Sequence, residues 1–127
     1  MDSLPVILVV EDDQLVQGVV EESLSEAGFE IVVAPSGEKA IELLAPNRYK
    51  ALVTDINLGR GKMEGWDVAR HAREIDPAIA VVYMSGKEAA DWSAQGVPKS
   101  IMLAKPFAPA QLVTAVSQLI NEQPQPT

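Results

Sequence analysis

The chain has 127 residues, 47% of them apolar, which is the size and composition of one ordinary domain with one continuous core. Eighteen acidic against ten basic residues leave a net charge of −8, which argues against direct binding to nucleic acid or to anionic membrane surfaces. The absence of cysteine excludes disulfides, thiolate metal sites and thiol nucleophiles, and points to a reducing cytosol. The longest apolar run, Leu4 to Val10, contains Pro5 and is too short to span a bilayer, and Met-Asp-Ser does not begin a secretory signal, so a soluble, cytoplasmic protein is expected.

Short apolar runs rich in β-branched residues alternate with stretches of helical periodicity, the pattern of repeated βα units around a parallel sheet. Residues Pro5 to Val10 are apolar at consecutive positions, as in a strand covered on both faces, and stop at Glu11-Asp12-Asp13. A helix is predicted over 14–27 with Val16, Val19, Val20, Leu24 and Ala27 on one stripe and Gly28 as its stop. Strand two is predicted over Glu30 to Ala34, and Ser36 caps a second helix carrying Ala40, Ile41 and Leu44 that ends near Pro46.

Strand three, Ala51 to Thr54, closes on Asp55. A loop with Gly59, Gly61 and Gly65 leads to helix three, with Val68, Ala69, Ala72 and Ile75 inward, and Asp76-Pro77 breaks it. Strand four, Ile79 to Met84, ends at Ser85-Gly86. A weaker fourth helix over Glu88 to Ala94 precedes a break at Gly96 to Pro98 and a short strand five, Ser100 to Leu103, that ends at Lys105-Pro106. Pro109 suits a first helical turn ahead of the stripe Leu112, Val113, Val116, Leu119 and Ile120. These are five βα repeats in residues 1–121, and the Pro- and Gln-rich residues 122–127 read as a disordered tail or the start of a linker.

In such a sheet, ligands bind beyond the carboxyl ends of the strands, where the strand order reverses. Four strands deliver polar groups to that rim: Glu11 and Asp12, Asp55, Ser85 and Lys105. Converging carboxylates call for a cation, and an all-oxygen donor set suits Mg²⁺ with a phosphate oxygen as a further ligand. A carboxylate there can act as nucleophile toward a phosphoryl group, and Asp55 on the central strand is the candidate. In isolation, Glu-Asp-Asp is a common helix start, Lys-Pro a loop breaker and Ser-Gly a turn; their joint placement is what carries the functional reading.

The motifs Val9-Val10-Glu11-Asp12-Asp13, Val53-Thr54-Asp55-Ile56-Asn57, Met84-Ser85-Gly86 and Lys105-Pro106-Phe107, in this order and spacing, resemble the response-regulator receiver family over about Val6 to Ile120. The resemblance implies a flavodoxin-like (βα)5 doubly wound sheet of order 2-1-3-4-5. It implies Asp55 as phosphoacceptor and metal ligand, Asp12 as a direct Mg²⁺ ligand, Glu11 acting mainly through water, and Asn57 giving its backbone carbonyl. Asp13 is then a helix cap. Ser85 would hydrogen-bond the phosphoryl oxygen, and Lys105, before a cis Pro106, would pair with it.

The implied partner is a sensor histidine kinase or histidine phosphotransfer protein of a two-component phosphorelay. Output would pass through the face of helix four, strand five and helix five, with a homodimer one form of it, and the chain would catalyse only its own modification. Two positions depart from the family pattern: Met102 stands where many members carry a switching Tyr or Phe, and the loop from Leu58 to Gly65 is longer, with Gly59 where a proline is common. His71 reads as a helix-flank residue, Trp66 and Trp92 as packing residues with Trp92 suited to a partner surface, and Arg60 and Lys62 as a solvated loop.

Three rivals remain. A receiver-like interaction module that takes no phosphate is the nearest. A haloacid-dehalogenase-type aspartyl-phosphate phosphatase needs a second aspartate where Asn57 stands. A flavodoxin proper would suffer repulsion between Glu11-Asp12 and the flavin phosphate. No Walker-type glycine loop is present to bind ATP.

Overall fold

The computed structural model describes residues 4–59, 63–86 and 92–123. Five strands alternate with five helices: β1 (Val6–Val10), α1 (Gln14–Glu26), β2 (Glu30–Ala34), α2 (Gly37–Leu44), β3 (Ala51–Asp55), α3 (Gly65–Ile75), β4 (Ala80–Ser85), α4 (Trp92–Gln95), β5 (Ser100–Ala104) and α5 (Pro109–Asn121). All strand pairs are parallel, in the order β2-β1-β3-β4-β5. This is the flavodoxin-like doubly wound arrangement expected from the sequence, with its reversal of strand order between β1 and β3.

Strand alternation sorts the core into two layers. Leu8, Val10, Leu52, Val81 and Tyr83 pack with Ala40 and Leu44 of α2 and with Val68, Ala69 and Ala72 of α3. Ile7, Val9, Val53, Val82 and Met84 pack with Val20 and Leu24 of α1 and with Leu112, Ala115, Val116 and Leu119 of α5. Because both faces are covered, β3 and β4 are buried at every residue, which explains their uninterrupted apolar runs.

Side-chain caps set the helix starts. Asp13 Oδ1 accepts the Leu15 N–H at 2.8 Å at the head of α1, and Ser36 Oγ accepts the Lys39 N–H at 3.1 Å at the head of α2. Gly28 follows α1 with φ +98°, the left-handed conformation that glycine adopts without a Cβ penalty.

Three expected core positions lie outside it. Val19 is 52% exposed and Ala27 is exposed, because the buried stripe of α1 runs through Val20, Ser23 and Leu24, and Ala27 is already the C-cap. Ile75, 46% exposed, ends α3 beyond the packed layer and lines an open cleft with Leu44, Pro46 and Tyr49. Gln123, expected in a tail, instead donates through Nε2 to the carbonyls of Lys50 and Ala78 at 2.8 Å each, closing the sheet's floor below β3 and β4. Residues 124–127, Arg60, Lys62 and most of the predicted fourth helix lie outside the described residues.

The segment after α4 is pinned from three sides. Tyr83 Oη, fully buried, accepts the Val97 N–H at 3.1 Å while its ring packs on Trp66, centroids 4.6 Å apart. Trp92 Nε1 donates to Ser100 Oγ at 2.9 Å, and Arg70 Nη2 donates to Gln95 Oε1 at 2.6 Å. Arg73 donates to the carbonyls of Ile79, Pro98 and Lys99. Trp66 is therefore a packing residue, whereas Trp92 keeps 39% exposure.

Candidate functional site

The carboxyl ends of β1, β3 and β5 bring four charged groups together, Glu11, Asp12, Asp55 and Lys105. Glu11, 1% exposed, follows β1, with its N–H donating to Ala34 O at 3.1 Å. Its Oε2 accepts the Asp13 N–H at 3.1 Å, and its Oε1 accepts from Lys105 Nζ at 3.1 Å. Asp55, at the end of β3, accepts the Ile56 N–H on Oδ1 at 2.8 Å and Lys105 Nζ on Oδ2 at 3.2 Å. One ammonium thus bridges two carboxylates. Asp12 is exposed, yet one of its carboxylate oxygens lies within 4.8 Å of oxygens of both Glu11 and Asp55.

Burial, together with the contacts among Glu11, Asp55 and Lys105, sets the protonation of the pocket. Burial, with a further push from Asp55, raises the Glu11 carboxyl to about 7. Burial also raises Asp55, with Lys105 opposing it. For Lys105, burial pulls downward, but Asp55 and Glu11 beside it outweigh that and hold the ammonium above its ordinary range. Surplus negative charge, oxygen donors alone and the close approach of three carboxylates fit a hard divalent cation; Glu11, Asp12 and Asp55 are the residues that could hold one.

The other expected site residues sit around this centre. Ser85 is fully buried at the end of β4, and its carbonyl accepts the Lys105 N–H at 2.8 Å. The Lys105–Pro106 peptide is cis. Asn57 is exposed, with Oδ1 accepting the Gly59 N–H at 3.2 Å. Met102 pairs in register with Tyr83 and packs half-buried against the α2/α3 layer, so its thioether lies inward without an aromatic ring. His71 stands half-buried on α3, away from these strand ends.

Two glycines shape the rim. Gly59 has φ +73°, and a Cβ there would lie 2.5 Å from Asp12 Oδ2. Gly65 opens α3 directly against β3: its N–H donates to Ile56 O at 2.8 Å, and a Cβ would collide with the Asp55 carbonyl. The composition of the loop shows a turn; only the fold shows that Gly65 seats α3 against the end of β3. Gln17 has no sequence signal either. Its Nε2 donates to the Glu11 carbonyl at 2.6 Å, and nothing in a helix-face glutamine six residues on announces this.

Residues 7–117 match the response regulator receiver domain. The chain belongs to this family. A response regulator receiver protein from Sinorhizobium medicae WSM419 is 45% identical, superposes with a TM-score of 0.91, and is matched over 94% of this chain and 97% of that one. Transcriptional regulatory protein PrrA of Mycobacterium tuberculosis is 32% identical over 121 residues, 94% of this receiver but 51% of PrrA. The chain spans about half the length of the curated relatives it matches. The receiver domain of the sensor histidine kinase PA1611 from Pseudomonas aeruginosa PAO1, described with a magnesium ion in its active site cleft, shares the fold at 24% identity and a TM-score of 0.82, over 94% of this chain and 100% of that one. Among the described residues, no helix is long and apolar enough to cross a membrane.

Proposed function

We propose that this receiver domain accepts a phosphoryl group on Asp55 from a phosphohistidine of a sensor kinase or phosphotransfer protein. The observation that carries the reading is the Asp55 carboxylate at the end of the central strand, held by Lys105 Nζ at 3.2 Å and close to the oxygens of Glu11 and Asp12. In the transfer an Asp55 carboxylate oxygen forms the new O–P bond as the histidine N–P bond breaks, leaving the imidazole as the leaving group. Glu11, Asp12 and Asp55, whose carboxylate oxygens lie within 4.8 Å of one another, and the Asn57 carbonyl would hold Mg²⁺, and that ion would supply charge neutralisation for the phosphoryl oxygens.

Lys105, already between Glu11 and Asp55, is positioned to pair with the incoming phosphoryl group, and Ser85 at the neighbouring strand end to hydrogen-bond it. The chain then turns over no separate substrate. Its output runs through protein contacts of the face built by α4, β5 and α5, where Trp92 is partly exposed. A net charge of −8 supports protein partners over nucleic acid for this segment.

Intact mass after incubation with acetyl phosphate, with Mg²⁺ or EDTA, tests this alongside Asp55→Asn. The expected result is one phosphoryl adduct on the wild type that requires both the metal and Asp55. No adduct on folded protein under any condition would leave a constitutive interaction module in place of the phosphoacceptor.

A further inference from the structure

The backbone at Glu11 is held at every point where it can be held. Its N–H is tied to Ala34 of β2, and its two carboxylate oxygens are tied to the Asp13 N–H and to Lys105 Nζ. Its carbonyl is tied to the Gln17 side chain at 2.6 Å. That carbonyl belongs to the peptide plane joining Glu11 to Asp12, so holding this plane fixes the backbone nitrogen from which Asp12 starts. Asp12 is exposed and, among the described residues, its carboxylate makes no hydrogen bond or ion pair of its own. Its place near Glu11 and Asp55 is therefore set through its backbone.

We propose that Gln17 is a positioning residue for the divalent-cation site, locking the Glu11–Asp12 peptide so that the Asp12 carboxylate faces Asp55. This rests on the Mg²⁺-dependent reading above. The physical basis is local. Gln17 lies one turn into α1, whose first turn is fixed by the Asp13 cap, so its amide reaches back from a rigid element onto the loop that carries the acids. A primary amide supplies the donor without adding charge beside three carboxylates; a lysine there would compete with the cation, and a carboxylate would repel the carbonyl. The arrangement serves the ion as outer-shell hydrogen bonds serve metal ligands, by preorganising a ligand that is otherwise free to turn.

The test is Mg²⁺ binding by calorimetry on the metal-free, unphosphorylated chain, for wild type, Gln17→Leu and Gln17→Glu, with thermal melts as a fold control. Leucine keeps the size and helix propensity and removes the donor; glutamate keeps the shape and reverses its polarity. Both variants should remain folded and bind Mg²⁺ about tenfold more weakly, in line with the loss of an outer-shell partner. With acetyl phosphate as donor, the Mg²⁺ concentration for half-maximal labelling should rise similarly while the rate at saturating Mg²⁺ stays within about twofold, because the acceptor and Lys105 are untouched.

Wild-type affinity in either folded variant overturns the proposal, as does a loss of saturated rate with unchanged affinity. A wild type that binds no Mg²⁺ overturns both this inference and the metal-dependent reading beneath it. Wild-type binding that the variants share overturns the Gln17 role alone.

Discussion

Glu11 bears the electrostatic cost of the pocket. Its carboxyl is pushed up to about 7 from an ordinary 4.5, by burial first and then by Asp55, although the Asp13 N–H and Lys105 favour its ionised form. Between those two values the native state keeps a proton that the unfolded chain has released. The Glu11 contribution to stability of the metal-free protein is therefore largest below 4.5 and declines as pH rises to about 7. Burial raises Asp55 too, which adds a slope of the same sign. Melting temperatures of metal-free wild type and Glu11→Gln across this window should show the variant gaining on the wild type as pH rises, and a gap that does not change with pH rules the assignment out. Cation binding must release the same proton, so Mg²⁺ affinity should rise with pH over the same range.

Among individual residues, Glu11, Asp12, Asp55 and Lys105 were legible in the sequence because each follows the end of an apolar run, and the topology brings such ends together. Gln17 and Gly65 were not. Gln17 matters through a contact made six residues back across a cap, and Gly65 through its missing Cβ against the carbonyl of a strand ten residues away.

At the level of elements, one phenol is among the contacts that join α3, β4 and the segment before β5. Replacing Tyr83 by Phe keeps the stack on Trp66 but leaves the buried Val97 N–H without its acceptor, which should cost about 1–3 kcal/mol. Urea unfolding should show a lowered midpoint with an unchanged slope. An unaltered midpoint would mean that the hydrogen bond contributes nothing net. The strands are legible because burial on both faces writes a continuous apolar run, but helix faces are less so. Val19 and Ile75 are apolar and correctly spaced, yet a stripe predicts only the centre of a buried face, and a residue at its flank or at a helix end escapes burial. The Tyr83–Val97 bond had no sequence signal, since a tyrosine in an apolar run looks like any core aromatic.

For the whole molecule, the parallel sheet follows from alternation of period and composition, while the order β2-β1-β3-β4-β5 came from resemblance to a family rather than from any physical rule that selects among permitted windings. That order puts β3 at the centre, buried at all five residues and hydrogen-bonded on both sides, with Asp55 as its last residue. Just beyond, Asn57 and Gly59 are exposed, and Asn57 Oδ1 accepts the Gly59 N–H in a local turn. Amide hydrogen exchange should therefore change abruptly over a few residues: Val53 and Thr54 should exchange only through global opening, and Asn57 and Gly59 by local fluctuation. Similar rates on both sides of Asp55 would contradict this. Asp55 thus stands on a boundary between two timescales, with the global opening of β3 on one side and the local fluctuation of Asn57 and Gly59 on the other.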